Sequence, residues 1–226
     1  MTTDESGIKE IRANRFVLED ENGKSRAELS MENGGPRLNL FDENGKIRLG
    51  LSVGKDGPCL GLIDEDGKSR VGLSVCKDIP GLVLLDENGN KRAVLSMGKE
   101  GTDLQLSDEN GKPRAVLSMY KDGPGLTLHD ENGKLRFELA VDENGPCLML
   151  RDENGSADLS VLKEGPLLWL SDKDGKSRAA FGVLKEGPCL GLSDENGNKR
   201  AGLSVDKDGP DLGLCDADGK VIWRAP

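Results

Sequence analysis

The chain has 226 residues, 35% of them hydrophobic, 3% aromatic and 32% charged, with 31 glycines and 10 prolines. That balance argues against a conventional large enzyme core. The net charge of -10, from 41 acids against 31 bases, argues against binding the phosphate backbone of nucleic acid. No apolar run approaches the roughly 18–20 residues of a membrane-spanning helix.

The first residues, Met1-Thr2-Thr3-Asp4-Glu5-Ser6, lack the basic start and apolar stretch of a signal peptide. They open a lead-in over 1–14, after which residues 15–226 read as one repeat domain. An Asp-x-(Asn/Asp)-Gly element begins at Asp20, Asp42, Asp64, Asp86, Asp108, Asp130, Asp152, Asp172, Asp194 and Asp216. The spacing is 22 residues throughout except for one step of 20, between Asp152 and Asp172. Fixed self-similarity of this kind marks a repeat architecture. A second punctuation, as in Lys55-Asp56-Gly57-Pro58, falls between these elements. It deviates at Ile79-Pro80 and Gly101-Thr102.

Each repeat is therefore two short segments and two turns. Apolar residues alternate with period two, as at Leu49, Leu51 and Val53, then Leu60 and Leu62, which predicts strands. Taking Asn44-Gly45 as a two-residue hairpin loop pairs Leu40 with Leu49 and Leu38 with Leu51. Taking Asp56-Gly57 as the other loop pairs Val53 with Leu60 and Leu51 with Leu62. In the short repeat the same arithmetic sets Leu150 against Leu159 and Arg151 against Asp158. The even deletion keeps every side chain on its face. Pro58 lacks a backbone N–H, so the Gly-Pro end is expected to be the wider turn and the Asn-Gly end the tight one.

The prediction is an all-β, elongated antiparallel hairpin ladder of about ten 22-residue units. One face gathers the leucines, including Leu38, Leu40, Leu51, Leu60, Leu62, Leu73, Leu82 and Leu84. The other carries an arginine column, Arg26, Arg48, Arg70, Arg92, Arg114, Arg136, Arg178 and Arg200, beside small residues such as Ser52, Ser74 and Gly61. A bare greasy face does not repay the entropy of ordering the chain, so it must be covered. Self-association is expected, with three-fold winding into a β-helical or β-spiral rod favoured and a self-closed solenoid or barrel as the alternative. Gly/Pro-punctuated short strands of this sort resemble the shafts of trimeric viral and phage fibres, although the repeat length differs. The pattern DENGKxRAxLSV followed by KDGPxLxL, led by Ile11-Arg12-Ala13-Asn14-Arg15-Phe16-Val17-Leu18, looks like repeat arrays in uncharacterised bacterial proteins, from which no activity carries over. The aromatic and glycine signature of two-strand MORN repeats is missing.

The candidate sites are few. Calcium at the Asp-x-Asn-Gly turns is the one cofactor the residues bring forward, but each glycine is followed by Lys, Asn or Ser and then a strand, without the further ligands of a calcium loop. Turn formation is the expected role of these aspartates, and no cofactor is expected. The five cysteines, Cys59, Cys76, Cys147, Cys189 and Cys215, form no CxxC pairs, and Cys59, Cys147 and Cys189 share one repeat slot several strands apart, beyond bonding reach, which suits free thiols in a reducing compartment, with intermolecular pairing around an oligomer axis as the alternative. A surface or extracellular filament stays open. His129, the single histidine, is expected to face Arg136 as a spacer. The repeats lack a non-repeated polar cluster, so the expectation is a structural, self-associating rod without catalysis. The alternative is a scaffold offering the arginine column as an interaction face to an anionic polymer or partner protein.

Overall fold

The computed structural model describes residues 2–3, 9–32 and 34–225. Of the expected lead-in, residues 1 and 4–8 lie outside them. Two compact units divide the chain, Met1–Gly111 and Lys112–Pro226, with the 22-residue period running through both.

In the first unit a small pair, β1 (Thr2–Thr3) and β2 (Lys9–Glu10), precedes nine repeat strands. These are β3 (Arg15–Glu19), β4 (Ser25–Glu32), β5 (Gly35–Phe41), β6 (Ile47–Gly54), β7 (Gly57–Ile63), β8 (Ser69–Cys76), β9 (Ile79–Leu85), β10 (Lys91–Met97) and β11 (Gly101–Ser107). The second unit holds β12 (Pro113–Tyr120), β13 (Gly123–His129), β14 (Leu135–Asp142), β15 (Gly145–Arg151), β16 (Gly155–Leu162), β17 (Gly165–Asp172), β18 (Ser177–Leu184), β19 (Gly187–Ser193), β20 (Lys199–Asp206), β21 (Gly209–Cys215) and β22 (Val221–Ala225). Within each unit every repeat strand pairs antiparallel with its neighbours in sequence. The described residues contain no helix, so the fold is the all-β hairpin ladder that the period-two alternation dictates.

The turns depart from expectation in an instructive way. At the Asn-Gly end Leu40 pairs with Leu49 and Leu38 with Leu51, as the arithmetic requires, but Phe41 pairs with Ile47, leaving Arg48 unpaired. The loop has three residues, not two. Asp42 and Lys46 close it, with the Gly45 N–H donating to the Asp42 carbonyl at 3.1 Å and Gly45 at φ 78°. This is a type I turn followed by a left-handed glycine and a bulge, the common three-residue hairpin. The extra loop residue and the bulge residue compensate, which is why a two-residue loop reproduces the pairing of the strand bodies.

At the Gly-Pro end the expected order of tightness is reversed. Val53 pairs with Pro58, Leu51 with Leu60 and Gly54 with Gly57, so Lys55 and Asp56 form a two-residue loop. The register differs from expectation by two residues, and the faces are unchanged because two is even. Proline fits here because Pro58 stands one step beyond the closing pair, where antiparallel partners do not exchange hydrogen bonds. Where Ile79 replaces the usual glycine, Lys77 and Asp78 take φ 48° and 69°, the left-handed geometry of a type I′ loop.

The short repeat likewise departs from its expected register by two residues, so Leu150 does not meet Leu159. Leu150 pairs with Ala157, Leu148 with Leu159 and Arg151 with Ser156, without a bulge. Its loop, Glu153-Asn154, is closed by the Asp152 N–H donating to the Gly155 carbonyl at 3.0 Å. The two missing residues are thus the third loop residue and the bulge arginine. The expected pairing of Arg151 with Asp158 does not form; Asp158 accepts from the Ser156 hydroxyl at 3.0 Å.

Candidate functional site

Two features repeat along the ladder with enough regularity to carry a role: the turn edge with its arginines, and the leucine face. At the turn edge each aspartate organises its own loop. The Asp42 Oδ1 accepts the Asn44 and Lys46 amides, both at 2.9 Å, and the same arrangement recurs at Asp64, Asp130 and Asp172. This is the aspartate turn that favours Asp at the first position. The Lys46 amide, then the Asn44 amide and Arg48, hold the Asp42 carboxyl below its ordinary value against partial desolvation. At Asp172 and Asp194 desolvation is the largest influence and pushes upward, yet the turn amides and the arginine together outweigh it.

The arginines are the bulge residues. Arg26, Arg48, Arg70, Arg92, Arg136, Arg178 and Arg200 all stand unpaired between two registered positions. Six of the eight arginines donate Nε to a carbonyl fifteen residues on, as Arg48 does to Ile63 at 2.9 Å and Arg114 to His129 at 2.8 Å. The guanidinium also faces the aspartate of its own turn, at 3.3 Å for both Arg70–Asp64 and Arg178–Asp172. Lysines complete the stitching: Lys46 Nζ donates to the Glu65 carbonyl at 2.5 Å and Lys176 to Glu195 at 2.7 Å. The column expected as an open interaction face is placed at the rim, where it ties successive turns together. Arg136, which precedes the short repeat, instead turns to Asp130 at 2.7 Å and Glu153 at 3.2 Å.

The leucine face consists of three cross-strand rows. In the second unit the central row runs through Leu148, Leu159, Leu168, Phe181, Leu190, Leu203 and Leu212. A second row lies toward the Asn-Gly turns and a third, of valines and prolines, toward the other end. Among the described residues of each unit these rows are only partly covered. Leu117, Leu139, Leu159 and Leu203 are 41–46% exposed, and Phe181 is 55% exposed. The first unit shows the same pattern. In the central row Leu51 and Leu73 are exposed and Leu38, Leu60 and Leu82 half-buried, while Leu40, Leu62 and Leu84 in the row toward the Asn-Gly turns are exposed. The opposite, small-residue face is the better covered one and includes buried Ser30 and Asn39. Within each unit the leucine face, expected to be buried, is therefore left partly open.

The remaining singular residues do not gather. All five cysteines are free; Cys59 shares a 3.1 Å contact with the Ser52 hydroxyl. His129 pairs with Leu135 rather than facing Arg136, because the bulge displaces the arginine. Trp169 lies opposite Asp158, and Trp223 extends the leucine face beside Leu214. Among the described residues no group of three or more His, Cys, Asp or Glu side chains is placed to hold a metal ion. No helix there is long and apolar enough to cross a membrane. What sequence reasoning missed is the bulge role of the arginines, signalled by Asp, Asn and Gly at the first, third and fourth turn positions.

No family model matches the chain, and no curated protein matches it. Among solved structures, a putative 6-phosphogluconolactonase from Bacteroides uniformis is similar over 91% of this chain and 82% of its own, at 12% identity and a TM-score of 0.17. A likeness that slight carries no argument about fold or activity.

Proposed function

We propose that the protein is a structural, self-associating element, a stitched β ladder whose leucine face is closed by other copies of the same chain, and that it performs no catalysis. The observation that carries this is the open face itself. On the second unit seventeen large apolar residues between Leu117 and Leu214 are exposed on it. At ~25 cal/mol per Å² and about 1.5–3 kcal/mol per fully buried side chain, each partly exposed residue leaves roughly 25–55 Å² open, or on the order of 400–900 Å² for this unit. Patches on monomers are about 300–600 Å², and a standard interface takes about 800 Å² per partner.

The occupant follows from periodicity and height. On β14 the apolar band is three positions tall, at Phe137, Leu139 and Val141, and so about 14 Å high. A lipid-facing strand needs a band of about 25 Å, so a bilayer does not match it. A second copy has the same row spacing strand for strand. Identical rungs are also what a shaft or filament requires and what a single active site does not. The arginine edge gives less support to a polyanion scaffold, because its guanidinia are already engaged by aspartates and carbonyls.

Hydroxyl-radical footprinting across a dilution series tests the reading. Oxidation of Leu139, Leu159 and Leu203 is expected to rise several-fold on dilution while exposed turn residues such as Glu131 stay constant. Oxidation of those leucines that is equal at every concentration would overturn it.

A further inference from the structure

The row nearest the Asn-Gly turns is not uniformly large. Across β15 to β21 it reads Leu150, Ala157, Leu170, Ala179, Leu192, Ala201, Leu214, one residue per strand and each paired with the next. The leucines are exposed and the alanines between them half-buried. Knobs and holes therefore alternate with a period of two strands, about 9.6 Å. The fold does not demand the small residue. The same slot holds Leu49, Val71 and Phe137 in other repeats, paired in the same way with Leu40, Leu62 and Leu128. Alanine at three successive slots is room that this unit leaves unused.

We infer that the segment β16–β21 is a self-complementary contact in which two copies pack face to face about a two-fold axis, each leucine knob entering an alanine hole of the other. The inference rests on the self-association proposed above and fixes its geometry. A two-fold axis parallel to the strands and midway between β18 and β19 places Ala179 against Leu192 of the second copy. It places Leu170 against the second copy's Ala201, and Ala157 against its Leu214. The central row then meets the central row at the usual ~10 Å separation of packed sheets. Such an isologous contact closes with two copies, unlike the three-fold winding of a fibre shaft. An in-register pairing without the one-strand offset would set leucine on leucine and alanine on alanine, leaving gaps that close packing does not tolerate.

The test is a knob-and-hole exchange in the full chain, read by light scattering, with circular dichroism to verify folding. The A157L/A179L/A201L variant fills every hole, and L170A/L192A/L214A removes every knob. Each alone is expected to associate at least 100-fold more weakly than the wild type, and an equimolar mixture to recover association, since every position again sets leucine against alanine. The filled variant is expected to fold, as Leu49 does in its slot. Wild-type association retained by the filled variant, or a mixture no more associated than its components, would overturn this geometry while leaving self-association standing. A wild type that never associates would instead remove the proposed function itself.

Discussion

Gly123 opens β13 at a Gly-Pro turn with φ 131°, and a Cβ placed there would overlap the Val141 carbonyl oxygen and sit 2.9 Å from its carbon. The overlap with the oxygen means that the neighbouring strand would have to retreat by roughly 1.5 Å or more to restore ordinary contact. Gly123→Ala is therefore hindered twice. The backbone region is close to glycine-only, at about 1–3 kcal/mol, and the added methyl overpacks a backbone contact, at about 1–3 kcal/mol more. The expected destabilisation is roughly 2–6 kcal/mol, or about 0.7–3 M in the urea midpoint at an m-value of ~2–3 kcal/mol/M. Gly213→Ala is the matched control, since a Cβ there meets nothing within 4 Å and φ is ordinary. It is expected to be neutral or to stabilise by about 0.4–1 kcal/mol through lost freedom of the unfolded chain. Urea titrations followed by far-UV circular dichroism compare the two. Equal midpoints would refute the turn geometry and the close approach of successive hairpins at the Gly-Pro end.

Acid should weaken the ladder in a defined window. Asp20, Asp42, Asp64 and Asp130 titrate below the ordinary 3.8 when folded, so their contribution is complete above that value and lost as pH falls through the lower folded values. Thermal midpoints are expected to stay flat on this account from pH 7 to about 5 and to fall below about pH 4, less so in an Asp42→Asn/Asp64→Asn variant; an equal fall in both proteins would contradict the turn assignment. Replacing Ser156 by Lys-Ser-Arg restores the two deleted residues and should rebuild the three-residue loop with its bulge arginine. A raised melting midpoint is the expected result, and a lowered one would show that the loop and bulge do not trade as a unit. Retention on an immobilised sulfated polysaccharide is expected to be negligible at about 0.15 M salt, since the net charge is -10 and the arginines are ion-paired. Retention that disappears on replacing Arg70, Arg178 and Arg200 with Gln would favour the scaffold reading.

The alternation of apolar residues determines that strands form and which residues share a face, and both are legible at Leu49, Leu51 and Val53 without coordinates. Register is legible only where turn chemistry is unambiguous. At the Asn-Gly end two omissions cancel, so Leu40 meets Leu49 as expected although the loop is a residue longer. At the Gly-Pro end Asp56-Gly57 looks like a hairpin pair, yet Gly57 belongs to the strand, because the neighbouring hairpin approaches its backbone too closely for a side chain: a Cβ on Gly57 would overlap the Val75 carbonyl. That approach is a long-range contact which local pattern does not encode. The arginines illustrate the same limit. A period-two reading assigns Arg48 to a face, whereas the bulge removes it from the alternation and hands its guanidinium to Asp42 and Ile63. The leucine face was legible as apolar, and its partial openness within each unit is a property only three-dimensional packing reveals.

Sedimentation equilibrium of the purified chain over a hundredfold range of concentration addresses the central claim most directly. The expected result is a mass that rises with concentration to a whole multiple of 24.2 kDa. A mass that stays at 24.2 kDa across the whole range would contradict it.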